Sequence, residues 1–170
     1  AGFPGMPEVI EDGLTFRENA EKKARATAAH TGLPSLADDS GLVVDALGGE
    51  PGVYSARYSG GHANDEGNIT LVLKKLEGVP ARERTARFVC DLALALPDGS
   101  VTHTEGVCEG SIAAARTGTG GFGYDPIFFL PELGLTMAQI PLEKKNTLSH
   151  RARAIAQMVP FIRKLSGGIS

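Results

Sequence analysis

Apolar residues recur every four positions at Phe16, Ala20, Ala24 and Ala28. That spacing predicts a helix with a slim stripe, suited to lying close against a sheet. Thr15 and Glu18 form a capping-box pattern at its start, and Gly32 suits the position that ends it near Thr31. Asn19 and Lys23, also four apart, flank the stripe on one side. A second helix is expected over 65–77, with Ile69, Val72, Leu73 and Leu76 at core spacing and Gly78 and Pro80 ending it. The period then changes to two over 85–96 and 100–108, predicting two long strands joined by a hairpin at Pro97-Asp98-Gly99. Phe88, Cys90, Leu92, Leu94 and Leu96 share one strand face; Arg87, Val89, Asp91 and Ala93 share the other. Shorter strands are expected at 33–37 and 111–115, while 42–47 reads as strand or short helix. A last helix starts near Ser149, carrying Ala152, Ile155, Ala156 and Val159, with Pro160 as a kink or interruption. Residues 1–12 read as a lead-in loop. With no repeat and no linker, residues 1–170 are expected to form one α/β domain.

Composition narrows the class without choosing a chemistry. Hydrophobic residues make up 42% and charged residues 22%, ordinary values for a globular protein. A net charge of −3 gives no reason to expect a nucleic-acid partner, because polyanion binders carry a basic excess. The two cysteines, Cys90 and Cys108, make neither a disulfide framework nor a metal spacing, and read as buried thiols of a cytoplasmic protein. No run has the length of a membrane span.

Three stretches carry candidate chemistry. Ala37-Asp38-Asp39-Ser40-Gly41 places two carboxylates between an apolar run and a glycine, where a strand is expected to end. Adjacent carboxylates repel unless a cation or donors meet them, and Mg²⁺ favours one or two carboxylates completed by water and phosphate oxygens. A solvated turn fits the same residues. Residues 117–126 hold four glycines among ten positions and end in Phe122-Gly123-Tyr124-Asp125-Pro126. The stretch matches neither a Walker A loop nor a dinucleotide fingerprint. Its aromatics could stack on a flat ring and Asp125 could accept from ring N–H groups, or the stretch is a plain turn with core aromatics. Lys144, Lys145, His150 and Arg151 gather at a helix entrance, a place suited to an anion or equally a solvated face.

Taken in order, Gly13-Leu-Thr-Phe-Arg-Glu-Asn-Ala20, the run from Leu36 to Tyr58, Glu83-Arg-Thr-Ala-Arg-Phe88, Gly120-Gly-Phe-Gly-Tyr-Asp-Pro-Ile-Phe128 and Lys145-Asn-Thr-Leu-Ser-His-Arg-Ala152 carry a resemblance across nearly the whole chain. The chain resembles the inosine/xanthosine triphosphate pyrophosphatase (ITPase) family. The resemblance implies an ITPase-like α/β fold: a central mixed β-sheet flanked by helices, in two lobes with the active site in the cleft between them. It implies Mg²⁺-dependent hydrolysis of ITP, dITP and XTP to monophosphate and pyrophosphate by a cytoplasmic homodimer that cleanses the nucleotide pool. By the same resemblance Asp39 is the general base and a metal ligand, with Asp38 and Glu11 as further metal-binding acids. Lys23 and Lys145 contact phosphates, Ser40 contacts substrate, Phe122, Gly123, Tyr124 and Asp125 form the loop stacked on the purine, and His150 and Arg151 read its 6-oxo edge. The family's opening strand, its Thr/Ser-x-Asn-x-x-Lys loop and the helix that follows have no match here; that segment is expected upstream of Ala1, the alternative being a truncated version that lacks it. A nucleotide-binding protein without turnover and a house-cleaning pyrophosphatase for modified pyrimidine nucleotides are the alternatives.

Overall fold

A computed structural model of the chain describes residues 5–6, 8–61 and 64–167; the rest of the expected lead-in, 1–4 and 7, lies outside them. Helix α1 (Phe16–Thr31) begins as the capping pattern predicts: Thr15 accepts a hydrogen bond from the Glu18 amide, and the Glu18 carboxylate returns to the amide of Leu14. Gly32 ends the helix in the left-handed conformation, donating its N–H to Ala28 O.

Strand β1 (Ser35–Val44) pairs with β2 (Thr85–Ala95), β2 with β3 (Val101–Ile112), β3 with β4 (Phe128–Leu130) and β4 with β5 (Leu135–Thr136). All four ladders are antiparallel among the described residues, where the resemblance implies a mixed sheet. Helices α2 (Asp65–Lys75), α3 (Leu142–Leu148) and α4 (His150–Gly167) complete the α/β arrangement, and α4 runs through Pro160 without interruption. No helix among the described residues is long and apolar enough to cross a membrane.

Two elements depart from the expectation. The strand expected to stop at Ala37 continues to Val44, so the acidic pair lies in mid-strand rather than at a turn. Gly41 does not break it. A Cβ at Gly41 would lie 2.5 Å from Ser55 Oγ and 2.7 Å from Gly52 O, so the glycine serves the close approach of residues 52–57. The separate strand expected at 111–115 is the end of β3, whose Ser111 pairs with both Thr85 and Phe129.

The sheet presents two faces of different character. Ala20, Ala24 and Ala28 of α1 pack on Ala93 and Ala95, so small residues on both partners bring the helix close to the sheet. On the opposite face Cys90, Leu92 and Leu94 meet Ala154 and Met158 of α4, and Leu42, Phe88 and Phe128 join Ile69 and Val72 of α2 in the larger core.

Candidate active site

Because successive strand residues point to opposite faces, β1 sends Asp38 and Asp39 in opposite directions. Asp39 faces α1. Its Oδ1 accepts from Lys23 Nζ at 3.0 Å and its Oδ2 from Asn19 Nδ2 at 3.3 Å. Lys23 Nζ also donates to Glu11 Oε2 at 3.0 Å, and Arg57 fixes the Glu11 segment through its backbone carbonyl at 3.2 Å. Asn19 is itself buried and accepts from the Gly13 amide at 2.8 Å, which ties the lead-in to the helix. The spacing of Asn19 and Lys23, one helical turn apart, is the sequence signal for this face; nothing in the sequence marks Asn19 as the clamp on Asp39.

Burial pushes the Asp39 carboxyl above its ordinary range, with Lys23 and Asn19 only partly opposing. Burial acts on Glu11 in the same direction, but its hydrogen bonds with Lys23 and Asp39 outweigh it and hold Glu11 low. For Lys23, burial disfavours the charge, yet the hydrogen bonds to both carboxylates prevail and keep it an ammonium. The group is two acids sharing one cation.

Asp38 is not part of that group. Its Oδ2 accepts from Ser40 Oγ at 2.9 Å and from Arg151 Nε at 3.0 Å. Burial opposes its charge, but Arg151 and Ser40 outweigh it and hold the carboxyl below its usual range. The strand's alternation thus gives the two neighbouring acids different partners, Arg151 and Ser40 for Asp38, Lys23 and Asn19 for Asp39.

On the Asp38 side lies a cavity of about 920 Å³ whose lining includes Ser40, Phe88, Phe122, Asp125, His150 and Arg151. Phe122 is 62% exposed at its mouth, with Lys145 Nζ 4.7 Å and Arg151 Cζ 5.5 Å from the ring centroid. Asp125, buried, accepts from the Phe122 amide at 2.9 Å and forms an ion pair with Lys145. The Gly123 amide donates to Asp65 Oδ2 at 2.8 Å, so α2 anchors the glycine loop. Asp65 had no signal beyond its place at a helix start. Tyr124, expected as a second stacking ring, is buried and donates its hydroxyl to Ser55 O at 2.9 Å. Of the two aromatics, Phe122 is the one exposed at the cavity mouth.

Lys145 lies apart from Lys23. It stands with Asp125 and Phe122, whereas Lys23 stands with Asp39 and Glu11 across the sheet. The reason is an unexpected helix: 142–148 has no apolar periodicity, yet it forms α3 and turns Lys145 into the cavity. His150, at the start of α4, is buried and stacks on Phe88 with centroids 4.9 Å apart and planes 19° apart. Its Nδ1 is buried with no hydrogen-bond partner among the described residues, and burial pushes the imidazole down to about 3, so it is neutral at pH 7.

A model of the Ham1 family matches residues 1–161. The dITP/XTP pyrophosphatase of Geobacter sulfurreducens is 60% identical over 154 residues, covering 91% of this chain and 77% of that protein. That of Geobacillus kaustophilus is 52% identical over 166 residues, covering 98% and 81%. Among solved structures, the Staphylococcus aureus Ham1 protein superposes with a TM-score of 0.87 at 45% identity, covering 92% of this chain and 81% of that one. A HAM1 protein from Coxiella burnetii gives 0.88 at 43% identity, covering 94% and 82%. The family match over residues 1–161, with 52–60% identity to the two pyrophosphatases, shows that the chain belongs to the Ham1 family.

Proposed function

We propose that this chain hydrolyses dITP and XTP, and ITP with them, to monophosphate and pyrophosphate with Mg²⁺ bound, clearing non-canonical purines from the cytoplasmic nucleotide pool. The names of its relatives support the reading. One observation carries it: Lys23 bridges Asp39 and Glu11 at 3.0 Å each, and the residues that follow Asp39, Ser40 and Gly41, line a cavity with an aromatic ring at its mouth.

The donor set fits Mg²⁺. Asp39 and Glu11 converge on one cation, and oxygen ligands of this type suit a hard ion. No group of three His, Cys, Asp or Glu among the described residues stands at ligating spacing, so water and substrate phosphate would complete the shell. When bound, Mg²⁺ supplies charge neutralisation at phosphate oxygens and polarises the attacking water.

The chain's own residues do the rest. Asp39, made more basic by burial, accepts the proton of the attacking water, and Asn19 holds the carboxylate for it. Lys23 stabilises the phosphate charge that develops. Phe122 stacks on the purine, with Lys145 and Asp125 forming one wall of the base pocket. His150 and Arg151 donate to the 6-oxo group, whereas a 6-amino group would set donor against donor and leave buried groups unpaired. A homodimer, implied by the family resemblance alone, completes the reading.

Pyrophosphate release from dITP, XTP, dATP and a modified pyrimidine triphosphate, measured with Mg²⁺, tests it. Turnover of dITP and XTP should exceed that of dATP by about 100-fold or more. A pyrimidine preference, or dITP binding with no pyrophosphate released, would give the function to one of the two alternatives.

A further inference from the structure

Asp38 and Arg151 lie 113 positions apart in sequence, yet they join β1 to the first turn of α4 through one hydrogen bond of 3.0 Å. The bond uses Nε. No acceptor among the described residues takes a hydrogen bond from Nη1 or Nη2 of Arg151, and its Cζ lies 5.5 Å from the Phe122 centroid at the cavity mouth. Arg151 is thus held at the root of its guanidinium while its two terminal donors stay available. A long unanchored arginine samples many rotamers, and discrimination between an oxo and an amino group requires donors at fixed positions. The anchor stands on a strand, a rigid support, and its second partner, Ser40, also lines the cavity.

We propose that Asp38 is a positioning residue for base selection, which fixes Arg151 through Nε so that the terminal guanidinium nitrogens meet the 6-oxo edge of the purine. The proposal rests on the dITP/XTP reading given above and extends it to a residue outside the metal-binding group. Asp38 and Asp39 then divide the ligand between them: Asp39 serves the phosphate end from one face of β1, and Asp38 serves the base end from the other. Asp38 touches neither end itself.

The test is steady-state pyrophosphate release from dITP and dATP, with Mg²⁺, by the full chain carrying Asp38→Ala, Asp38→Asn, Arg151→Ala, or Asp38→Ala combined with Arg151→Ala. Asp38→Ala is expected to lower kcat/KM for dITP by about 10- to 100-fold, carried mainly in KM, with a comparable fall in the preference for dITP over dATP. Asp38→Asn keeps an acceptor oxygen for Nε and should recover part of that preference; it also carries the test if the alanine variant does not fold. In the Arg151→Ala background, Asp38→Ala should change the preference by less than about 2-fold, because its effect passes through Arg151. An equal loss of kcat on both substrates with the preference intact would overturn the proposal, as would undiminished effects in the Arg151→Ala background. No dITP turnover by the unsubstituted chain would remove the underlying activity, an outcome distinct from a failed variant.

Discussion

Burial shifts two titratable groups, the partly buried Asp39 and the buried His150, in opposite directions. Burial disfavours the charged form of each, which raises the carboxyl and lowers the imidazole. For Asp39 the outcome is a stronger base. For His150 the outcome is a neutral ring stacked on Phe88 beside the cavity. The His150 shift also sets a pH dependence of stability. Its folded value of about 3 lies below the ordinary 6.5, so the unfolded chain binds the proton more readily throughout that interval. The contribution of a neutral His150 is therefore complete above pH 6.5 and is lost progressively as the pH falls toward 3. Thermal melts should show a Tm that declines over this window, and His150→Gln should decline less steeply; parallel curves would contradict the assignment.

Elements hold these side chains in place, and glycines decide how closely the elements meet. Gly106 of β3 lies under the first turns of α4: a Cβ there would sit 2.0 Å from His150 O and 2.5 Å from Ala154 N. Both are backbone atoms, so the helix would have to move. Gly106→Ala is expected to destabilise the protein by about 1–3 kcal/mol in denaturant unfolding and to weaken dITP binding, since His150 and Arg151 ride on the displaced helix. Unchanged stability and KM would contradict that packing. At this scale α1 was legible because its stripe and both caps lie in adjacent residues, and the 85–112 hairpin because Asp98-Gly99 separates two period-two runs. The length of β1 was hidden, since Gly41 reads locally as a breaker and its reason, the approach of 52–57, is tertiary. Helix α3 was hidden because none of its residues is buried and its polar sequence carries no period.

Across the whole molecule β1, the edge strand of the sheet, carries a functional group on each face. On the α1 face stands the acid–cation group of Glu11, Lys23 and Asp39; on the α4 face stands the cavity with Phe122, His150 and Arg151. Most of these residues could be named from the sequence, because their motifs are compact. Their grouping could not. Which acid meets which cation depends on strand alternation at Asp38-Asp39 and on helix α3 carrying Lys145 to Asp125, and both are properties of the assembled fold. The proposed chemistry resides on the Asp39 side. Its most direct measurement is the kcat of Asp39→Asn for dITP with Mg²⁺, alongside the thermal melt of the same variant. The expected result is a fall in kcat of about 100-fold or more, with the fold retained because Lys23 keeps Glu11 as a partner. A folded Asp39→Asn variant with undiminished kcat would remove Asp39 from the chemistry.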